Sequence, residues 1–139
     1  MASSVAPGSV VDGRYRLGRL IGEGTFGAVY EVERLADGAA FAMKLLKDET
    51  ASDAQSRARL RREATALSTL SHPAVVSVTE LGEDEGRMFL VTELLAGCGL
   101  DAAISAGPPA PLEALRIMDQ VLGGLAFAHA MGVAHRDLK

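Results

Sequence analysis

The chain has 139 residues, of which 48% are apolar and 23% are charged, and this composition is typical of a globular protein rather than a disordered one. With 14 Lys and Arg residues against 18 Asp and Glu, the net charge of −4 argues against a broad nucleic-acid surface, which needs clustered positive charge. We expect neither a membrane segment nor a signal peptide, and the single cysteine, Cys98, indicates a reducing, cytoplasmic compartment.

The residue pattern of the first third of the chain predicts a tail followed by strands. Residues 1–13 are rich in Ser, Pro and Gly, which predicts a flexible tail. The apolar segments 15–21, 28–33 and 39–47 each have the length and residue types of a strand. Asp and Gly at 37–38 mark a turn between the last two. Together they predict a three-stranded antiparallel meander.

A helix and a hairpin are predicted next. The helix starts near Asp53 and ends before Pro73, because the residue before a proline resists helical geometry. Four apolar residues recur at steps of four, three and three and define its apolar face: Leu60, Ala64, Leu67 and Leu70. Residues 75–81 and 88–94 predict a hairpin with a polar turn, which completes a five-stranded sheet.

The rest of the chain changes character and predicts helices. A Gly-containing linker at 94–99 leads to a short helix at 100–106 and a long helix at 112–131 that Gly132 ends. The long helix has an apolar stripe formed by Leu115, Met118, Leu122, Leu125 and His129. Because Ile117, Val121 and Phe127 lie off this stripe, the small sheet can cover only part of the helix. We therefore expect an exposed apolar patch and self-association through it.

The segment IGEGTFGAV contains a G-x-G-x-x-G loop, which alone is weak evidence because glycine-rich turns without a binding role are common. A dinucleotide-binding loop needs a helix directly after it, whereas strand-forming residues follow Gly27. A Walker loop is excluded because G-K-[ST] is absent. The loop therefore caps a hairpin, where Gly22, Gly24 and Gly27 allow the backbone to lie close over a phosphate.

An ion pair is predicted between the third strand and the helix. Lys44 lies in an apolar strand, and Glu63 shares the apolar face with Leu60, where an unpaired carboxylate is costly to desolvate. Pairing holds the Lys44 ammonium beneath the glycine loop, where it can meet phosphate oxygens. The alternative is that Glu63 reaches water beside Arg59 or Arg62.

The order of the motifs GEGTFGAV, AMK, RREA, SHPAVV, FLVTELLAG and HRDLK resembles the protein kinases, and in particular the eukaryotic-like serine/threonine kinases of bacteria. The resemblance extends from about Arg14 to Lys139. It implies an α+β fold in which residues 14–94 form a kinase N-lobe, a five-stranded antiparallel sheet with one long helix. Residues 95–139 then form the hinge and an incomplete start of the helical C-lobe.

The same resemblance implies ATP as cofactor and a protein Ser/Thr hydroxyl as substrate. Lys44 would hold the α and β phosphates while paired to Glu63, Asp137 would accept the hydroxyl proton, and Lys139 would neutralise the γ-phosphate. The nucleotide would be contacted by the glycine loop, the adenine pocket, the gatekeeper position and the hinge: Ile21, Gly22, Glu23, Gly24, Thr25, Phe26, Gly27, Val29, Ala42, Lys44, Thr92, Glu93 and Leu95.

The motif HRDLK stops before the Asn and the D-F-G that hold Mg²⁺ in kinases, so no metal ligand is assigned within this chain and we expect a catalytically incomplete fragment. Three alternatives stay open. An ATP-binding regulatory, pseudokinase-like module would bind nucleotide without transfer, and an unstable fragment would do neither. A Rossmann oxidoreductase would need a helix directly after Gly27.

Overall fold

The structure, a computed structural model, describes residues 5–136 and Leu138. These residues form two compact units, one made of residues up to 68 together with Ser77–Leu94, the other of Thr69–Val76 and the residues from 95 onward. The first unit contains β1 (Val10–Val11), β2 (Tyr15–Glu23), β3 (Gly27–Arg34), β4 (Ala40–Leu46), α1 (Asp48–Ala51), α2 (Ala54–Ser68), β5 (Val78–Asp84) and β6 (Arg87–Glu93). The second contains α3 (Leu100–Ala106) and α4 (Pro111–Ala130).

The sheet of the first unit is antiparallel and has six strands in the order β1-β2-β3-β4-β6-β5. The predicted meander is confirmed as β2, β3 and β4, and the predicted hairpin as β5 and β6. The expected count of five strands is wrong, because Val10 and Val11 pair with Arg16 and Tyr15 to add β1 at the edge. This strand lies inside the segment expected to be a flexible tail, and a backbone bond from Leu17 N–H to the Ser9 carbonyl extends the pairing.

The two faces of the sheet carry different side chains, because residues paired across antiparallel strands share a face. One face holds the larger apolar cluster, which is built from the ten buried residues Val11, Tyr15, Leu17, Ala28, Tyr30, Val32, Met43, Leu45, Phe89 and Val91. The opposite face packs against α2 through a smaller cluster of Leu46, Leu60, Ala64, Met88 and Leu90. Lys44 is paired with Val29 and Leu90, which places it on the α2 side.

A polar seam connects the start of β2 to β5, which lies at the far end of the strand order. The Arg14 guanidinium donates two hydrogen bonds to the Glu80 carboxylate, at 3.0 and 2.7 Å, and also contacts Asp12. The Asp12 N–H donates to Asp84 Oδ2 at 2.8 Å. Hydrogen bonds to Glu80 and then to Asp12 raise the pKa of Arg14 above its ordinary value. The sheet is therefore curled, with its first and last strands joined through charged side chains.

Helix α2 begins where the sequence predicts, and Asp53 caps it. The Asp53 carboxylate accepts the N–H of Ser56 at 2.8 Å and the Ser56 hydroxyl at 2.5 Å, which satisfies a free donor of the first turn. These bonds lower the pKa of Asp53. Leu60 and Ala64, one and two turns further on, are buried against the sheet, so the cap and the apolar face together fix the position of the helix.

The turn between β3 and β4 has an acid-sensitive ion pair. Asp37 accepts two hydrogen bonds from the Arg34 guanidinium and one from the Ala39 N–H, and these contacts lower the pKa of Asp37 to about 2. Because the pKa of an unfolded Asp is about 3.9, these contacts stabilise the fold above roughly pH 4, and the stabilisation is lost as the pH falls toward 2.

Because the Arg34–Asp37 pair is exposed and screened by water, replacing Asp37 with Asn should lower the melting temperature only slightly at neutral pH, and by progressively less as the pH falls from 4 to 2. Melting curves of both proteins across that range measure this convergence. A difference in melting temperature that stays constant down to pH 2 would show that the Asp37 charge contributes nothing.

The second unit packs α4 against the turn formed by residues 72–74. The His72 and Phe127 rings lie 5.3 Å apart, and a Cβ at Gly124 would lie 3.2 Å from that of Ala74. The His72 Nδ1 accepts the Ala74 N–H at 3.0 Å, which holds the turn.

The predicted apolar stripe of α4 points mostly to solvent. Leu115, Met118, Leu122 and His129 are exposed, whereas Gly124 and Ala128 are buried. The helix packs through its other side, where the small residues Gly124 and Ala128 allow the closer approach. The exposed apolar surface is present, and self-association through it stays a prediction.

Among the described residues, no helix combines the length and apolar composition needed to span a bilayer.

Candidate functional site

The glycine loop joins β2 to β3, as the sequence predicts. The Gly24 N–H donates to the Gly27 carbonyl at 2.9 Å, and this bond closes the tip of the hairpin. Strand β3 starts at Gly27 itself, so the helix that a dinucleotide-binding loop requires is not there. The Rossmann alternative is therefore wrong for this loop.

The three glycines of the loop have different surroundings. A Cβ built at Gly22 would meet nothing within 4 Å, and one at Gly24 would meet only the Gly27 carbonyl at 3.8 Å. A Cβ at Gly27 would lie 2.8 Å from the Leu45 carbonyl oxygen of β4. Gly22 and Gly24 therefore leave open space for a ligand, whereas Gly27 is needed for the close approach of β3 to β4.

Lys44 and Glu63 form the predicted ion pair. The Lys44 Nζ lies 2.7 Å from Glu63 Oε2, although the residues are 19 positions apart in the chain. Their side chains are 34% and 36% exposed, so the pair is half-buried rather than buried. The prediction overstated the cost of desolvation, because the Glu63 carboxylate keeps contact with water although Leu60 and Ala64 on the same helix are buried. The pair leaves the ammonium accessible to a ligand.

A cavity of about 330 Å³ lies beneath the glycine loop, within the first unit. Its walls are the loop from Gly22 to Gly27, Val29 on β3, Lys44 on β4, and Arg59 and Glu63 on α2. This volume is at the lower end of the range of about 300–1,000 Å³ that is typical of small-ligand sites. Lys44 and Arg59 bring two cations to one small space, and cations are suited to bind phosphate oxygens.

Arg59 was missed as a candidate by the sequence reasoning, which considered it only as a solvent-side neighbour of Glu63. The guanidinium carbon of Arg59 lies 4.2 Å from the centre of the Phe26 ring, at the tip of the glycine loop. The available signal was spacing, because Arg59 precedes Glu63 by one helical turn and shares its side of α2.

The residues expected around the adenine share one face of the sheet. Ala42 pairs with Thr92, and it lies two positions before Lys44 on β4, so all three side chains are on the α2 side. The Glu93 N–H is bonded to the Ser77 carbonyl at 3.0 Å, which leaves the Glu93 carbonyl as its candidate contact to the adenine. Leu95 belongs to the second unit.

Two of the expected catalytic residues, Asp137 and Lys139, lie outside the described residues. The remaining expected site residues, Ile21 and Thr25 among them, are in the first unit apart from Leu95. Within the part of the chain that the structure describes, no group of three or more His, Cys, Asp or Glu side chains is placed to hold a metal ion.

Comparisons with known proteins agree with this geometry. Residues 15–139 match the family model described as the protein kinase domain. The chain is 39% identical over 133 residues to the serine/threonine-protein kinase PrkC of Bacillus subtilis, which covers 95% of this chain and 20% of that protein. It is 40% identical over 136 residues to the serine/threonine-protein kinase pkn2 of Myxococcus xanthus, with 97% and 16% covered.

The fold comparison gives the same result. A crystal structure of the PknI kinase domain of Mycobacterium tuberculosis superposes with a TM-score of 0.77 at 30% identity, covering 98% of this chain and 56% of that one. The chain thus spans about a fifth of the length of PrkC and just over half of the PknI kinase domain. With the glycine loop, the Lys44–Glu63 pair and these matches together, the chain belongs to the protein kinase domain family.

Proposed function

We propose that this chain is the nucleotide-binding part of a serine/threonine protein kinase, which transfers the γ-phosphate of ATP to a Ser or Thr hydroxyl of a protein. The observation that carries the proposal is the Lys44–Glu63 pair beneath a glycine loop in which a Cβ at Gly22 or Gly24 would meet no atom closer than 3.8 Å. Relatives named as serine/threonine-protein kinases support the choice of substrate hydroxyl.

In this proposal each group has a positional or electrostatic task. Lys44, oriented by Glu63, contacts the α and β phosphates, and the loop backbone covers them. Asp137 accepts the proton of the attacking hydroxyl, and Lys139 neutralises the γ-phosphate. Mg²⁺ neutralises the phosphates in kinases, and because no described group of side chains is placed to hold it, we assign it no residue here.

Nucleotide binding is tested first, with the fluorescent analogue mant-ATP and with melting curves. ATP at about 100 times its Kd should stabilise the chain by roughly 2.7 kcal/mol, whereas GTP at the same concentration is the specificity control. A melting curve that ATP does not shift, together with no mant-ATP signal, would contradict the proposal and favour a fragment without function.

Phosphoryl transfer is tested in the protein that carries this chain, with γ-labelled ATP and a Ser/Thr-containing protein substrate. We expect label in the substrate, and we expect the Asp137→Asn variant to keep ATP binding and lose transfer. Binding without any transfer would instead assign the chain a regulatory, pseudokinase-like role.

A further inference from the structure

The tip of the glycine loop is fastened to helix α2 by a side-chain stack. The Arg59 guanidinium lies 4.2 Å from the centre of the Phe26 ring, well inside the range of about 6 Å for a cation–π contact. Phe26 is half-buried although it is at the tip of a loop. Within the described residues Arg59 forms no salt bridge, and besides the ring its charge acts on Asp53, the cap of the same helix.

The backbone of the same tip is held from a second side. The Phe26 carbonyl accepts the Lys47 N–H at 3.2 Å and the Thr50 hydroxyl at 2.8 Å. The Lys47 ammonium also pairs with Glu23, on the other strand of the hairpin, at 2.7 Å. With the Arg59 stack, these contacts hold the loop over an open cavity rather than collapsed into it.

We propose that Arg59 is a positioning residue that fixes the glycine loop to α2 through Phe26, so that the loop and the Lys44–Glu63 pair move as one body. Arg59 and Glu63 are one turn apart on α2, so a displacement of this helix changes both contacts together. The contact of Arg59 with Phe26 does not depend on the proposed function, whereas its effect on nucleotide binding rests on that function. A loop already held over the cavity loses less freedom when a phosphate binds, so the contact should strengthen nucleotide binding.

The fastening itself is tested in the free chain by NMR hydrogen exchange. Two amides report on the tip, namely Gly24, bonded to the Gly27 carbonyl, and Lys47, bonded to the Phe26 carbonyl. Arg59→Ala and Phe26→Leu should each accelerate exchange of both amides about two- to fivefold, and the double variant no further than either single one. Arg59→Lys should restore part of the protection.

Matched controls distinguish a role of Arg59 in fixing the glycine loop from a general effect on the stability of the fold. Arg61→Ala makes the same substitution on the same helix at an exposed side chain that does not line the cavity, and it should leave both amides unchanged. The amide of the fully buried Val91 on β6 should exchange at the wild-type rate in every variant. Unchanged Gly24 and Lys47 exchange in Arg59→Ala, or additive effects in the double variant, would overturn the proposal.

A second measurement uses the mant-ATP dissociation constant. Arg59→Ala and Phe26→Leu should weaken binding by the same factor, about two- to fivefold, because each releases the same loop. If only Arg59→Ala weakens binding, Arg59 contacts the nucleotide directly and the positioning role is wrong. If the wild-type chain binds no mant-ATP, the proposed function fails, while the exchange data still decide whether Arg59 holds the loop.

Discussion

Replacing Lys44 with Met is expected to weaken ATP binding roughly 10- to 100-fold and to change the free energy of unfolding by no more than about 1 kcal/mol. Met keeps most of the length of the side chain and removes the charge that would contact phosphate oxygens. Because the Lys44–Glu63 pair is about one third exposed, water replaces the lost partner and folding is little affected. Mant-ATP titration and urea denaturation of the same samples measure the two quantities.

Arg61→Met is the matched control for this experiment, since it removes one positive charge from an exposed position outside the cavity. It should leave both ATP binding and unfolding near the wild-type values. Equal weakening of ATP binding in the Lys44 and Arg61 variants would mean that only net charge matters. Unchanged binding in Lys44→Met would remove the phosphate contact from the proposed function.

Replacing Phe89 with Ala is expected to cost about 3–5 kcal/mol of folding free energy, a large fraction of the total of roughly 5–15 kcal/mol for a domain. Phe89 is 0% exposed, its ring lies edge-on to Tyr15 at 6.3 Å, and it covers Gly82 on β5. The truncation leaves a cavity that the paired strands cannot close. Urea denaturation measures the loss as a lower midpoint with an unchanged slope.

Phe41→Ala is the control of the same residue type. Phe41 is half-buried at the margin of the same cluster and lies edge-on to Tyr15 at 6.5 Å, so its truncation removes less buried surface and leaves no closed cavity. A smaller loss of stability is expected. Equal losses in the two variants would contradict the view that burial, rather than ring chemistry, sets the cost.

The periodicity of the sequence predicts most of the fold. Strands β2, β3, β4 and β6 are within two residues of their predicted bounds, because each buries a regular face that hydrophobic spacing reports. Helix α2 ends at Ser68 rather than just before Pro73, and β5 covers Val78–Asp84 rather than 75–81. Strand β1 was missed because a segment of two valines is too short to show a periodicity. It becomes a strand only by pairing with β2 in the folded chain. The four-residue α1 was missed for a similar reason. In α4 both sides are apolar, so spacing alone could not tell which one packs.

In the candidate site too, some features could be predicted from the sequence pattern and others depend on contacts made only in the folded chain. The Lys44–Glu63 pair could be predicted, since a carboxylate on an apolar helix face needs a cation nearby. Spacing could have placed Arg59 beside Glu63, but not against Phe26, because an exposed arginine can adopt many conformations and no rule of spacing connects it to a loop tip. The different role of Gly27 could not be predicted either, because the space for a Cβ beside the Leu45 carbonyl depends on how closely β3 approaches β4.

The contact between Arg14 and Glu80 also affects how the first unit acquires its fold. These residues are 66 positions apart, so a nascent chain that has left the ribosome only as far as β4 lacks the strands that complete the sheet. Pairing of distant segments requires closure of a long loop, which slows folding from microseconds toward milliseconds or longer. During synthesis the free edge of β4 stays open to other chains until β6 emerges, which makes this interval the time at which holding chaperones would matter most.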